Sequence, residues 1–249
     1  SRDDLKNYKC PDPTLPGRDA DIKAAVNMDN NNIAILGGVG GPLATAWLLL
    51  GFEKICYSLY EDPGLITDVL KISNEYFKEA ARRSVEAGCM AMWISEDMGD
   101  SRSAFFSNDD FQSIFLPYLN DLVDYVDSLG VPVLLHSCGN ITAYLDDLSK
   151  TKISAIHPLQ RTAGMDLQYV KGKYGKRFCI IGNIESSTTL PYGTVEDVVA
   201  ESREAIDIAA PGGGYIFASD HSLHDGIPVE NIKEMFRFAR IYGDKYCKD

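Results

Sequence analysis

VPVLLHSCGN, residues 131–140, opens as a buried strand and ends in chemistry. A short apolar run that follows a glycine and is rich in Val and Leu suits a strand covered on both faces, as in a parallel sheet. His136 and Cys138 stand two apart. In an extended chain side chains alternate with a period of two, so an imidazole and a thiol leave the same side of this strand end. Both are ligand types that zinc takes, and a zinc site needs at least one more.

Upstream, the periodicity predicts a long amphipathic helix over about 109–129, with Phe115, Leu119, Leu122, Val123 and Val126 facing a core. Before it, CMAMWIS predicts a strand that ends in two acids, Glu96 and Asp97. Residues 62–87 predict a helix whose buried stripe is Val69, Leu70, Ile72, Tyr76 and Phe77, stopped by Gly88. NIAILGG, after the punctuation of Asn31 and Asn32, predicts a first strand with its apolar core at Ile33–Leu36, and Pro42 opens a helix through Leu50. The glycines at 37, 38, 40 and 41 invite comparison with a phosphate-binding loop. The spacing is not G-x-G-x-x-G and no Lys-Ser/Thr follows, so the preferred reading is a tight strand-to-helix turn with close backbone approach.

Residues 1–20, broken by Pro11, Pro13, Pro16 and Gly17, predict an irregular leader, with a short helix over about 19–26. Downstream come a helix near 141–148, the strand ISAIHP, a helix over about 166–174, the strand FCIIGN, a helix near 195–209, the strand YIFAS and a helix over about 229–242. Six strands, each followed by a helix, imply parallel strands with right-handed crossovers: an open doubly wound sheet or most of a (β/α)8 barrel. The expected organisation is a leader and short helix over 1–32 and one β/α domain over 33–249.

With 249 residues and 45% hydrophobic content the chain can bury a large core. Its formal charge of −12 argues against nucleic acid or an anionic membrane as partner. No apolar run approaches eighteen residues and no charged-then-apolar start is present, so neither a transmembrane helix nor a signal peptide is expected, and the expected location is the cytoplasm. Six cysteines, scattered singly, are expected as reduced thiols. Cys89 and Cys179 fall within predicted strands and read as core packing, while Cys10, Cys56 and Cys247 have no motif around them.

The ends of successive predicted strands carry Glu96 and Asp97, His136 and Cys138, His157, Asn183 and Glu185, then Asp220 and His221. In parallel α/β folds these ends share the face where active sites lie. His221 is the preferred third metal ligand beside His136 and Cys138, with Glu96 or Asp97 as substitutes, and a mixed nitrogen and sulfur set favours zinc over magnesium or calcium.

Several segments together resemble the uroporphyrinogen decarboxylase superfamily: the GGVGGP turn, ISEDMGDSRSAFFSNDDFQSIFLPYLNDLVD, GVPVLLHSCGN, CIIGNIES and APGGGYIFASDHSLHDGIPVENIKEMF. The similarity runs from Ile33 to Tyr242. It implies a (β/α)8 barrel of which this chain lacks the first two β/α units, and often a homodimer. That superfamily joins the heme-pathway decarboxylase to methyltransferases that serve corrinoid proteins. The methyltransferases carry His-x-Cys after the fifth barrel strand and a further Cys after the eighth, together binding zinc. Here the pair is matched by His136 and Cys138, whereas the later position has His221, as the metal-free decarboxylase does.

The expectation that follows is a zinc-dependent methyltransferase that moves a methyl group between a corrinoid (cobalamin) protein and a thiol or a methoxy- or methylamine-type small molecule. His136, Cys138 and His221 would hold the metal. Asp97, Glu96 and His221 would act in catalysis, and Asn183, His157 and Glu185 would contact substrate. A tetrapyrrole decarboxylase and a non-catalytic corrinoid- or tetrapyrrole-binding barrel are the alternatives.

Overall fold

The computed structural model describes residues 1–28 and 33–247. Its six strands are parallel and form one sheet in the order β1-β2-β3-β4-β5-β6. A doubly wound sheet reverses its strand order at a switch point, whereas a barrel adds each strand beside the previous one, so this sequential order selects the barrel type.

The contacts group the chain into two compact units. The first comprises residues 1–98, 105–136 and 143–153. It contains β1 (Leu36–Gly40), β2 (Ala91–Ser95) and β3 (Val133–His136), paired so that Leu36 faces Ala91 and Ser95 faces His136. The Pro63–Glu86 helix starts where expected: Pro63 takes a first-turn position that needs no N–H, and the Asp62 side chain accepts from the Leu65 N–H at 3.2 Å. Leu65, Ile66, Val69, Leu70 and Ala81 form its buried stripe, whereas Ile72, Tyr76 and Phe77 are only half-buried. The helix expected over 109–129 is divided into Asn108–Asp110, a π-helical turn at Phe111–Phe115, and Leu116–Ser128. Pro117 has no N–H and its ring crowds the carbonyl four residues back, so the turn before it widens.

Three local expectations need correction. β1 lies on Leu36–Gly40 rather than on the apolar run Ile33–Leu36, and Ile33 is 68% exposed. At Gly37 and Gly40 neighbours leave no room for a side chain. A Cβ on Gly37 would sit 2.6 Å from the Met92 sulfur, and one on Gly40 2.7 Å from the Phe77 ring. Residues 2–7, expected to be irregular, form a short helix closed by a Ser1/Asp4 capping box. A helix at Phe52–Glu61, absent from the sequence reading, follows Gly51. Asn31 and Asn32 lie outside the described residues.

The second unit comprises residues 99–104, 137–142 and 154–249. It contains β4 (Ala155–His157), β5 (Cys179–Ile184) and β6 (Tyr215–Ser219), with Ala155 facing Cys179 and Ile180 facing Tyr215. Helices at Leu167–Tyr174, Val195–Ala209 and Val229–Gly243 complete it. The middle one begins with a Thr194/Asp197 capping box and buries Val198, Ala205, Ile206 and Ala209.

Candidate metal centre

β3 delivers His136 as its last residue. Its carbonyl accepts from the Glu96 N–H at 2.8 Å, which continues the β2–β3 ladder one step past the strand. The imidazole stacks on Trp93, ring centroids 5.7 Å apart at 29°, and its Nε2 lies 3.6 Å from a carboxylate oxygen of Asp97. Only 14% of the His136 side chain is exposed. A carboxylate beside a ligating histidine orients the ring and raises its basicity.

Just beyond His136 the Ser137 N–H donates to the His157 carbonyl at 2.9 Å. Cys138 follows, half-buried. Gly139 then turns the chain at a φ of +79°. A Cβ at Gly139 would lie 2.3 Å from the main chain of Gly99, so glycine is required by both conformation and space. Its N–H donates to the Gln160 side chain at 3.0 Å.

His221 lies on the loop after β6. One donor atom each from His136, Cys138 and His221 lie within 4.8 Å of one another. Tetrahedral zinc with ordinary Zn–N and Zn–S bonds spaces its ligands about 3.3–3.7 Å apart, so a contraction of about 1 Å would close the set around the ion. Two imidazoles and one thiolate fit zinc, and three protein ligands leave a fourth position open for a substrate atom. Among the six cysteines only Cys138 belongs to such a group in the described residues.

The other predicted residues are placed differently. Glu96 is 1% exposed, and its two carboxyl oxygens accept from the Leu43 and Ala44 N–H groups, each at 2.9 Å. Those are first-turn amides of the Pro42–Leu50 helix, whose N-cap Gly41 has no side chain to offer. Glu96 therefore supplies the cap from β2, and Gly41 leaves space for it, since a Cβ there would overlap the carboxyl group. Burial pushes the Glu96 carboxyl up to about 8, against the pull of the two amides, and the neighbouring Asp97 adds to the rise. These amides are already satisfied, which accounts for the glycine-rich turn without phosphate.

His157 is buried, with its Nε2 3.3 Å from the Ser219 carbonyl. Asn183 is fully buried and donates to the Leu159 carbonyl at 2.9 Å; with Arg161, Asp166 and Glu204 it borders a cavity of about 440 Å³. Glu185 is buried and accepts from the Thr162 and Ser187 N–H groups. Asp220 is buried beside it and accepts from the Ser186 N–H at 2.9 Å. Burial lifts the Asp220 carboxyl to about 6, and the Glu185 carboxylate contributes to the rise. Two further residues lie around the site: Trp93, which nothing in the sequence marks because its strand neighbours Met92 and Ile94 are apolar too, and His224, which like the other three histidines lies at or beyond a strand end and which spacing alone does not distinguish from His221.

The sequence profile described as uroporphyrinogen decarboxylase (URO-D) matches residues 1–242. A uroporphyrinogen decarboxylase of Anaeromyxobacter dehalogenans is 25% identical over 86% of this chain and 60% of its own length. The methylcobamide:CoM methyltransferase MtaA of Methanosarcina barkeri is 27% identical over 82% of this chain and 57% of its own length. The chain thus spans about three-fifths of these relatives. A methyltransferase structure from Methanosarcina mazei superposes with a TM-score of 0.77 at 24% identity, covering 89% of this chain and 62% of that one, and supports the barrel-type fold. With the profile covering nearly every residue, the chain belongs to the uroporphyrinogen decarboxylase (URO-D) family.

Proposed function

We propose that the chain is a zinc-dependent methyltransferase that works with a corrinoid protein and a small-molecule methyl donor or acceptor. The observation that carries this reading is the convergence of His136, Cys138 and His221, a nitrogen, sulfur, nitrogen set with mutual distances within 4.8 Å. Similarity to methylcobamide:CoM methyltransferases supports the same branch. Zinc held there supplies a positive centre that keeps a bound thiol as thiolate at neutral pH, or polarises a methoxy or amine group.

The chain's own residues prepare that position. Cys138 serves as a thiolate, and His136 presents a lone pair while Asp97 and Trp93 fix its ring from the side and the face. Asp97, 39% exposed, takes up or returns a proton at the substrate atom. Glu96 holds the adjoining helix and leaves that role to Asp97.

Elemental mass spectrometry on anaerobically purified protein tests the reading. About one zinc per chain is expected, with loss in His136→Ala, Cys138→Ala and His221→Ala. The zinc-loaded protein should then demethylate methylcobalamin in the presence of a thiol. Freshly reduced protein that takes up no zinc would remove the metal reading and turn attention to the tetrapyrrole chemistry of the decarboxylase relatives.

A further inference from the structure

His221 depends on a loop for its position. It is exposed, and it follows β6 rather than ending a ladder as His136 does. What anchors that loop is the turn after β5, and the anchors flank His221 on both sides. Immediately before it, the Asp220 N–H donates to the Ile184 carbonyl at 2.8 Å, and the Asp220 carboxylate accepts from the Ser186 N–H at 2.9 Å. Three residues after it, the His224 Nε2 lies 3.3 Å from the Ser186 carbonyl oxygen. The peptide groups on either side of Ser186 are thus gripped from the two ends of one short segment.

The hydrogen bonds also fix the protonation pattern of His224. The Gly226 N–H donates to Nδ1 at 3.1 Å, so Nδ1 carries the lone pair and the ring proton sits on Nε2, facing the Ser186 carbonyl. Both ring nitrogens are committed, and His224 has none left for a metal. The Ile227 N–H closes the turn on the His224 carbonyl at 3.1 Å, so the ring is carried by a tightly wound segment.

We propose that His224 is the positioning residue of the metal centre: its bond to the Ser186 carbonyl pins the far end of the 220–224 segment and thereby sets His221 within reach of Cys138. The inference rests on the metal reading above. With the bond removed, the segment keeps its ties at the near end, the Asp220 bonds and the Ser219 hydroxyl that donates to the His221 carbonyl at 2.7 Å, while its far end must be ordered at the moment the metal binds.

Two variants separate the bonds. His224→Asn keeps an acceptor where Nδ1 was, so Gly226 remains satisfied while the reach to Ser186 is lost. His224→Gln places an amide N–H near the position of Nε2 and keeps the bond to Ser186. Affinity for zinc is measured by competition with a chromophoric chelator, and the ligand set is read from the cobalt(II)-loaded protein. The expected result is a roughly 10–100-fold weaker affinity in His224→Asn. Its thiolate-to-cobalt charge-transfer band from Cys138 should persist while the visible ligand-field bands weaken. His224→Gln should return to near wild-type affinity, and the melting temperature should stay close to wild type in both. Wild-type affinity and spectrum in His224→Asn would overturn the proposal, as would equal losses in both variants accompanied by a fall in melting temperature. Wild-type protein that takes up neither zinc nor cobalt is a different outcome: it removes the metal centre itself and this role with it.

Discussion

Glu96 spends a buried carboxyl on the start of a helix, and its titration has a defined sign. Its folded value of about 8 lies above the ordinary 4.5. The contribution to stability is therefore fully present below about pH 4.5 and is lost as pH rises through about 8, where the folded state must hold a buried charge. Thermal melts of wild type against Glu96→Gln across that range check this: the variant should show a flatter pH dependence. At a single mildly acidic pH it should be less stable by about 1–3 kcal/mol, because an amide presents a donor to one of the two helix N–H groups that the carboxyl now accepts. Equal slopes for the two proteins would mean that Glu96 stays charged throughout. Nothing in the dipeptide Glu96-Asp97 separates the two acids by role. The distinction comes from Gly41, far away in the chain, which leaves a helix start uncapped and a space that only a neighbouring strand can fill.

At the scale of elements, the expected strands and long helices were legible wherever apolar periodicity was strong, as at Val133–His136, Cys179–Ile184 and Val195–Ala209. β1 was displaced because strand propensity reports a side chain's fit to a half-buried surface, and at Gly37 and Gly40 that surface has no room for a side chain. Replacing Gly37 with Val should cost about 2 kcal/mol or more, since its Cβ would press on Met92 and Ser84. Ile33→Ser should change stability by no more than about 0.5 kcal/mol, since Ile33 stands outside the strand and is mostly exposed. Urea unfolding of the two variants decides between this register and one centred on the apolar run. The metal centre was legible in part for a related reason. His136 and Cys138 share one extended stretch and reveal themselves by spacing, while His221 joins them only through the sheet, and His224 differs from it only by what its nitrogens meet.

For the whole molecule, a formal charge of −12 sets a condition on stability. Acidic groups repel one another through solvent, and added salt screens them, so the melting temperature should rise from low to physiological ionic strength. A fall would show that local ion pairs such as Arg83 with Asp19 and Lys78 with Asp121 outweigh the net repulsion. The sequential strand order carries a consequence for synthesis on the ribosome. Each strand that leaves the exit tunnel finds the preceding one as its pairing partner, so the sheet can grow vectorially, without waiting for distant partners. His136 and Cys138 emerge with β3, but His221 follows β6. A nascent chain would thus carry two of its three metal ligands, exposed to any passing thiophilic ion, until β6 and the loop after it have been made.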